Sequence, residues 1–332
     1  MNIVEISNQF PDELSATIFF ERQRWGKKPK CPYCKSLSLF ARTPDLRLKC
    51  KDCMRTFSVT VGTQLQGSKV SLKTWLYAFA IITDAKKGVS ALQLQRNLGI
   101  SYPTAWAMYH KIRELMAMEN KDLSEFTGIV EMDETYIGGK PRPFNDGSTK
   151  LPTTNKRTVI PELDERLKEL REAGVRLKRG KGNPALSDIN PKRGRGTKKA
   201  KVVGIVERDG NVIAQVMKTI NHSDLKAMLQ KHVQEDDSVL ITDEYSGYNR
   251  MDRIIEHVKI DHQRLYSYKG INTNTIESFW AIIKRQIIGQ HHQVSVKHLP
   301  KYVSETVFKY NNRKEDDMFE TLCENAMLPN AL

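Results

Sequence analysis

Three acidic residues that lie far apart along the chain are the first candidates for chemistry. Asp133 lies in the strand-like segment FTGIVEMDETYIGG, Asp243 follows the apolar run VLIT, and Glu277 lies near the start of the helix-like segment NTNTIESFWAIIKR. Lys284 follows Glu277 by seven residues, so both side chains share one helix face. Converging carboxylates repel one another unless cations share their charge, and hard oxygen ligands favour Mg2+ or Mn2+. If the fold brings them together, these acids predict a divalent-cation site at which Lys284 binds phosphate; taken singly, each could be a surface or helix-capping residue.

Four of the five cysteines form a second candidate site. The motifs CPYC and CKDC are separated by 15 residues, and two such pairs can place four thiolates around one Zn2+. Disulfides or redox-active CxxC motifs are the alternative, but nothing in the sequence indicates an oxidising compartment. We therefore predict a zinc ribbon over residues 26–62, in which a structural Zn2+ is held by Cys31, Cys34, Cys50 and Cys53.

The segment from 68 to 120 has helical periodicity. Ser90 can begin a helix that stops near Gly99, and Ser101 or Tyr102 can begin the next one. Two helices joined by a short turn with glycine are typical of a helix-turn-helix, although a plain helical hairpin would look the same. The second helix would present these candidate DNA contacts: Thr104, Tyr109, His110 and Lys111.

The elements that must position the acids begin at residue 125. A strand is followed by a hairpin through Asp209 and Gly210, a helix, two strands and two helices. This order predicts an α/β domain with a ribonuclease H-like mixed sheet flanked by helices, in which the three acids would converge. The predicted organisation is a helical segment at 1–25, the ribbon, the helix-turn-helix, a catalytic domain at 125–315 and a C-terminal tail at 316–332.

The charge of the chain favours a polyanionic partner. Its net charge is +14, its pI is about 9.4, and residues 140–201 carry 18 Lys and Arg against 7 Asp and Glu. We interpret this insertion as a DNA-binding arm beside the catalytic strand, and a solvated loop is the alternative. Its candidate DNA contacts are Lys178, Arg179, Lys192, Arg193, Arg195, Lys198 and Lys199.

No apolar run approaches the roughly 20 residues that a membrane span needs, and the N-terminus lacks the basic and apolar regions of a secretion signal. We therefore expect a cytoplasmic protein with no membrane partner and no small-molecule cofactor.

Several stretches resemble the IS1595 family of ISXO2-like transposases, bacterial insertion-sequence enzymes with DDE chemistry. They are CPYC…CKDC, VEMDETYIGGK, VVGIVERDGNV, ITDEYSGY, NTIESFWAIIKRQIIGQHH and VSVKHLPKYVSETVFKYNNR, and they extend over about residues 10 to 315. The resemblance implies an acidic triad of Asp133, Asp243 and Glu277, followed by Lys284. Some members are described with Asn as the third ligand, so Asn274 is a rival or a helper of Glu277.

The resemblance also implies a function. A transposase of this kind cuts phosphodiester bonds at the ends of its element with Mg2+ or Mn2+ and joins the 3′-OH to target DNA. Its partners would be double-stranded DNA and at least one further copy of the chain, associated with the bacterial nucleoid. A catalytically silent, domesticated DNA-binding regulator and a ribonuclease H-like nuclease without strand transfer are the alternatives.

Overall fold

The computed structural model describes residues 1–119, 125–138, 168–169, 172–173, 199–260, 272–314 and 318–330. The chain divides into two compact units, Met1–Thr135 with Lys201–Leu332 and Tyr136–Ala200. The contacts below belong to the first unit. Of the predicted DNA-binding arm, Lys199 is described, and these candidates lie outside the described residues: Lys178, Arg179, Lys192, Arg193, Arg195 and Lys198.

Two capped helices open the chain. Helix α1 spans Ile3–Gln9 and helix α2 spans Glu13–Trp25. The side chains of Asn2 and Asp12 each accept a hydrogen bond from the backbone N–H three residues on, which satisfies a donor that the first helical turn leaves unpaired. The predicted N-terminal helical segment is thus present.

A small ribbon follows, with strands β1 (Leu48–Lys49) and β2 (Thr56–Phe57) paired antiparallel. Helix α2 holds it in place, because Glu21 forms a 2.7 Å ion pair with Arg42, and Arg24 donates to the carbonyls of Val59 and Val61. A fold this small has little apolar core of its own, so the ribbon depends on the helix and on its cysteines.

Helices α3 (Leu72–Asp84), α4 (Ala91–Leu98) and α5 (Tyr102–Glu119) form the predicted helix-turn-helix region. Ser90 caps α4 and Gly99 ends it in the left-handed conformation with φ +65°, as the sequence predicts. The face of α3 that carries Trp75 and Phe79 is buried in the same core as α1, α2 and α5.

Within the described residues, five strands form the larger sheet. They are β3 (Phe126–Ile137), β4 (Ala200–Glu207), β5 (Val212–Met217), β6 (Val233–Thr242) and β7 (Glu256–Lys259), and helix α6 (His222–His232) lies between β5 and β6. The spatial order is β5-β4-β3-β6-β7. Strands β3, β6 and β7 run parallel, and β4 and β5 form an antiparallel hairpin. This mixed order is the ribonuclease H-like arrangement that the sequence predicts.

Three helices complete the fold. They are α7 (Asn274–Gln286), which continues into a π-helical turn at Ile287–His291, α8 (Leu299–Asn311) and α9 (Met318–Met327). Among the described residues, none of the helices combines the length and the apolar character that crossing a bilayer requires.

The predicted C-terminal tail at 316–332 is wrong for its described part. Helix α9 packs against α2, α3 and α5, and Phe319 and Leu322 are buried in the N-terminal core. After the helix, Pro329 forms a β-bridge with Thr63. The end of the chain therefore completes the domain with which the chain begins, because the apolar side chains of this amphipathic helix need a core to bury them.

A buried ionic cluster joins α5 to α8. The carboxylate of Glu305 accepts from Arg113 at 2.8 Å, from Lys309 at 3.0 Å and from the hydroxyl of Tyr109 at 2.6 Å. Burial alone would raise the pKa of Glu305, but the charges of Lys309 and Arg113 outweigh it and hold that pKa at about 2. The cluster joins helix α5 of the predicted helix-turn-helix directly to helix α8.

Candidate acidic cleft and zinc site

The register of two parallel strands brings the first two acids together. Glu131 of β3 pairs with Ile241 of β6 in the parallel ladder. Two residues further on lie Asp133, within β3, and Asp243, which directly follows the last residue of β6. Equivalent positions of paired parallel strands lie side by side, so the two carboxylates come together. The convergence of the two aspartates therefore follows from strand pairing.

A third acid joins them from the same strand. Asp133, Glu134 and Asp243 can each offer one carboxylate oxygen within 4.8 Å of the others. The hydroxyl of the buried Tyr248 donates to Glu134 at 3.1 Å and holds its carboxylate in place. Glu134 is not among the predicted ligands, although its position directly after Asp133 in the motif DE was the signal for it.

Asp133 lies beside two other acids. Burial, followed by the negative charges of Glu134 and Asp243, raises the pKa of Asp133 to about 7. The indole Nε1 of Trp280 donates to its Oδ2 at 3.0 Å and ties it to helix α7. A carboxylate in such a place binds a cation readily, because the cation removes the repulsion that disfavours its charged form.

Helix α7 forms the opposite wall of the cleft. Glu277 lies in its first turn and accepts from the hydroxyl of Thr273 at 3.1 Å. Glu277 and Lys284 line the same cleft of about 440 Å³ as Asp133, Glu134 and Asp243, so the predicted shared face of this helix is present. The compact oxygen cluster nevertheless contains Glu134, and Glu277 lines the cleft without belonging to that cluster.

Asn274 does not take part in this arrangement. Its side chain is exposed at the first residue of α7 and is not among the residues that line the cleft. The structure thus distinguishes the two candidates for the third position: Glu277 lines the cleft, whereas Asn274, about one turn earlier at the first residue of the helix, lies outside it.

The cluster has the chemistry of a site for a hard divalent cation. Oxygen ligands about 2.0–2.6 Å from Mg2+ or Ca2+ lie up to about 5 Å from one another, and the carboxylate oxygens here fall within that span. Carboxylates alone, without thiolate or imidazole, favour Mg2+ or Mn2+ over softer metals.

The four cysteines of the ribbon converge as predicted. The Sγ atoms of Cys31 and Cys53 are 3.6 Å apart, those of Cys34 and Cys50 are 3.5 Å apart, and all four lie within 4.8 Å. A tetrahedron of Zn–S bonds of about 2.3 Å has edges of about 3.8 Å, so the sulfur atoms fit Zn2+.

The two CxxC motifs, or cysteine knuckles, share one pattern of backbone hydrogen bonds. The N–H of Cys31 donates to the carbonyl of Ser36, and the N–H of Cys50 donates to the carbonyl of Arg55 five residues on. Backbone N–H groups of Cys53 and Asp52 that point at the sulfur lower the pKa of Cys50 to about 7. The N–H of Ser36 lowers the pKa of Cys34, but burial and the neighbouring thiols outweigh it and raise that pKa to about 12, so of these two thiols Cys50 loses its proton more readily.

The structure corrects two of the predicted DNA contacts on helix α5. Tyr109 is fully buried and His110 is 5% exposed, so neither side chain faces a DNA groove. The prediction failed because both residues face the ionic cluster and the neighbouring helix α8. The large apolar side chains that this helix exposes near its N-terminus are those of Tyr102 and Trp106.

The other predicted DNA contacts that the structure describes are partly exposed. Thr104 is half-buried and hydrogen-bonds Ser101. Lys111 is also half-buried, donates to Gln64 at 3.1 Å and lies 3.4 Å from Glu114. Lys199 is half-buried next to strand β4. Their contact with DNA stays a prediction.

Comparison with known proteins adds two family matches. A family model described as an ISXO2-like transposase domain matches residues 169–311, and one described as a transposase zinc-ribbon domain matches residues 11–56. The two ranges together cover more than half of the chain. The first range contains Asp243, Glu277 and Lys284 but begins after Asp133, whose place in the site therefore rests on its distance to Asp243.

Two solved structures share a general likeness with this chain. The crystal structure of the Mos1 strand transfer complex is 11% identical, with a TM-score of 0.27, over 76% of this chain and 78% of that chain. A pre-cleavage Mos1 transpososome is 10% identical, with a TM-score of 0.25, over 75% and 78%. TM-scores this low do not establish a common fold. The assignment of the ribonuclease H-like fold rests on the order of the strands in the sheet.

One curated relative comes from a mobile element. The uncharacterised protein in transposable element ISH50 of Halobacterium salinarum is 28% identical over 156 residues, which are 45% of this chain and 51% of the relative. The match therefore spans about half the length of that relative. The two family matches, found on the segments that hold the sulfur cluster and most of the acidic cleft, place the chain in the IS1595 family of ISXO2-like transposases.

Proposed function

We propose that this protein is the DNA transposase of an insertion sequence, which cuts phosphodiester bonds at element ends and transfers the freed strand into target DNA. The observation that carries the proposal is the acidic cleft: Asp133, Glu134 and Asp243 offer oxygens within 4.8 Å, and Glu277 and Lys284 line the same space. Membership of a transposase family supports the same chemistry.

Each side chain has a role in this proposal. Asp133, Glu134 and Asp243 hold Mg2+ or Mn2+, and Glu277 completes the ligand set from helix α7. Divalent cations held there would supply positive charge to the attacking and leaving oxygens of phosphoryl transfer. The exposed Lys284 binds a phosphate of the DNA beside the cleft, and Trp280 orients Asp133 through its 3.0 Å hydrogen bond.

DNA binding is distributed over the basic parts of the chain. The zinc ribbon, the helix-turn-helix region and the basic insertion 140–201 would bind the element ends, because phosphate contacts supply affinity that does not depend on sequence. Two element ends must meet one target, so the active form would be a homodimer or larger and would work on the nucleoid in the cytoplasm.

The test is a cleavage and joining assay with Mg2+ on DNA that carries the flanking element ends. We expect Asp133→Asn to lose cleavage by at least about a thousandfold while its affinity for the same DNA stays unchanged, because only the cation site is altered. Asp236→Asn is the control, since Asp236 is an exposed acid near the other end of strand β6.

Other outcomes of this assay identify the competing functions. Cleavage that Asp133→Asn retains would remove this residue from the site. Cutting without joining by the wild-type protein would indicate a nuclease of ribonuclease H-like fold. DNA binding without metal-dependent cutting would indicate a regulator derived from a transposase.

A further inference from the structure

A third acid of strand β3 lies behind the cleft. Glu131 is fully buried, and it is two residues before Asp133, so both side chains leave the strand on the same face. Glu131 does not line the cleft and is not one of the acids whose oxygens cluster there. A buried carboxylate is costly unless it is fully hydrogen-bonded, so its partners indicate what it does.

Glu131 binds the N-terminus of helix α7. Its Oε2 accepts from the backbone N–H groups of Thr275 and Ile276, each at 3.0 Å, and its Oε1 accepts from the hydroxyl of Thr275 at 3.0 Å. The first turn of a helix leaves these N–H groups unpaired and carries partial positive charge. Thr273, the N-cap residue, makes no side-chain capping bond. The side chain of Asn272 accepts from the N–H of Asn274, and the next two N–H groups of the first turn are capped by Glu131 of strand β3.

The carboxylate of Glu131 also binds Arg208, which in turn holds the segment before helix α7. Arg208, at the turn between β4 and β5, donates to Oε1 of Glu131 at 2.9 Å and to the carbonyl of Asn272 at 3.0 Å. The N–H of Arg208 in turn donates to the carbonyl of Ile129 on β3. Glu131 therefore connects strand β3, the β4–β5 turn and the segment that leads into α7.

A second anchor lies one turn further along helix α7. Trp280 donates to Asp133, and its ring lies against strand β4 at Gly204, where an added Cβ would approach Cη2 of Trp280 to 2.7 Å. The helix is thus held at its first turn by Glu131 and one turn later by Asp133. The charged residues between and after these anchors on the cleft side are Glu277 and Lys284.

We propose that Glu131 is a positioning residue for the cleavage reaction, a role that rests on the proposed function. By fixing helix α7 against strand β3, it sets the distance from Glu277 and Lys284 to Asp133 and Asp243. Glu131 touches neither the cation nor the DNA. It acts through the helix that carries the cleft's second wall, in the way that outer hydrogen bonds orient metal ligands.

The experiment compares Glu131→Gln with the wild-type protein in two measurements. Calorimetric titration with Mn2+ and no DNA reports cation binding, and the Mn2+ dependence of cleavage reports the assembled site. We expect Glu131→Gln to need roughly tenfold more Mn2+ in both, because an amide cannot accept all the bonds that hold α7. Its affinity for element-end DNA in Ca2+ should stay unchanged.

A matched control and a second variant separate positioning from folding. Glu207→Gln alters an acid of β4 that accepts hydrogen bonds from Thr127, away from the cleft, and should leave the Mn2+ dependence unchanged. Gly204→Ala pushes Trp280 and α7 outward without changing any carboxylate, and should weaken Mn2+ binding as Glu131→Gln does. Gly204→Ala tests whether the position of α7 sets the affinity for Mn2+, on which the role of Glu131 depends, even if Glu131→Gln does not fold.

The outcomes are distinct. Wild-type Mn2+ dependence in folded Glu131→Gln, or in Gly204→Ala if the first variant does not fold, would overturn the positioning role, even if the melting temperature had dropped. A wild-type protein that neither binds Mn2+ nor cuts DNA would overturn the proposed function, and this role with it.

Discussion

Asp133 has two opposing requirements. The stability of the folded protein without a cation favours its protonated form, whereas the proposed chemistry needs the charged form that binds a cation. Asp133 is surrounded by Trp280, Glu134 and Asp243, and its pKa of about 7 lies well above the ordinary value of about 4. A raised carboxyl pKa means that the folded state holds its proton more tightly than the unfolded state does. Without a cation, the contribution of Asp133 to stability is therefore present below about pH 4 and is lost as the pH rises to 7.

A divalent cation should reverse this loss. We expect saturating Mn2+ to raise the melting temperature more at pH 8 than at pH 5.5, because at pH 5.5 the cation must displace the proton of Asp133. Differential scanning fluorimetry with and without Mn2+ at each pH measures the difference. Asp133→Asn should lose most of the shift at pH 8, and an equal shift at both pH values in the wild-type protein would contradict the prediction.

Helices α5 and α8 are joined by side chains that the sequence gives no reason to pair. Arg113 lies between the rings of Tyr109 and Tyr302, 3.6 and 3.8 Å from their centroids, while it binds Glu305. The turn between α3 and α4 closes over this cluster at Gly88, which has a φ of +72°. A buried ion pair adds little net stability by itself, but removing one partner leaves an uncompensated charge.

Gly88→Ala tests how tightly the ionic cluster between helices α5 and α8 is packed. An added Cβ would lie 2.8 Å from Oε1 of Glu305 and 3.1 Å from the hydroxyl of Tyr109. We expect a loss of roughly 3 kcal/mol in the free energy of unfolding by urea, from left-handed strain and overpacking together. Gly99→Ala is the control, since Gly99 has a φ of +65° and open space, so its loss should be about 1 kcal/mol. Equal losses would show that the cluster tolerates the methyl group.

The charge of the whole molecule is concentrated in one insertion. Residues 140–201 hold 18 Lys and Arg against 7 Asp and Glu, in a chain whose net charge is +14. Electrostatic attraction of this kind supplies affinity for DNA of any sequence. It weakens as the salt concentration rises, because binding releases counterions from the DNA and salt reduces the gain from that release. The remaining surface would then have to supply whatever sequence preference the protein has.

Replacing residues 176–199 by an uncharged Gly/Ser linker of equal length should weaken DNA binding and flatten its dependence on salt. The replaced segment contains nine Lys and Arg and one acid, so the slope of log K against log salt should fall by several units. Fluorescence anisotropy on non-specific duplex DNA between about 50 and 200 mM salt measures the slope. An unchanged slope would show that this segment does not touch phosphate.

Local spacing made several features predictable. The cysteine motifs define the sulfur cluster, because each knuckle is closed by bonds within a few residues. Ser90 and Gly99 define the ends of α4, and the Asp209–Gly210 turn defines the β4–β5 hairpin. Asp133, Asp243 and Glu277 could be named because strand order in this class of sheet brings such positions to one edge.

Only the tertiary structure decided which side chains meet across that framework. It placed Glu134 among the clustered oxygens through Tyr248, left Asn274 outside, and buried Tyr109 against Glu305. It also folded residues 318–327 into the N-terminal core. The physical reason is the separation of the interacting residues along the sequence. The shape of a short motif is fixed by hydrogen bonds within its own backbone, whereas these contacts join segments far apart in sequence. Their partners are chosen by packing and buried charge, which no local pattern encodes.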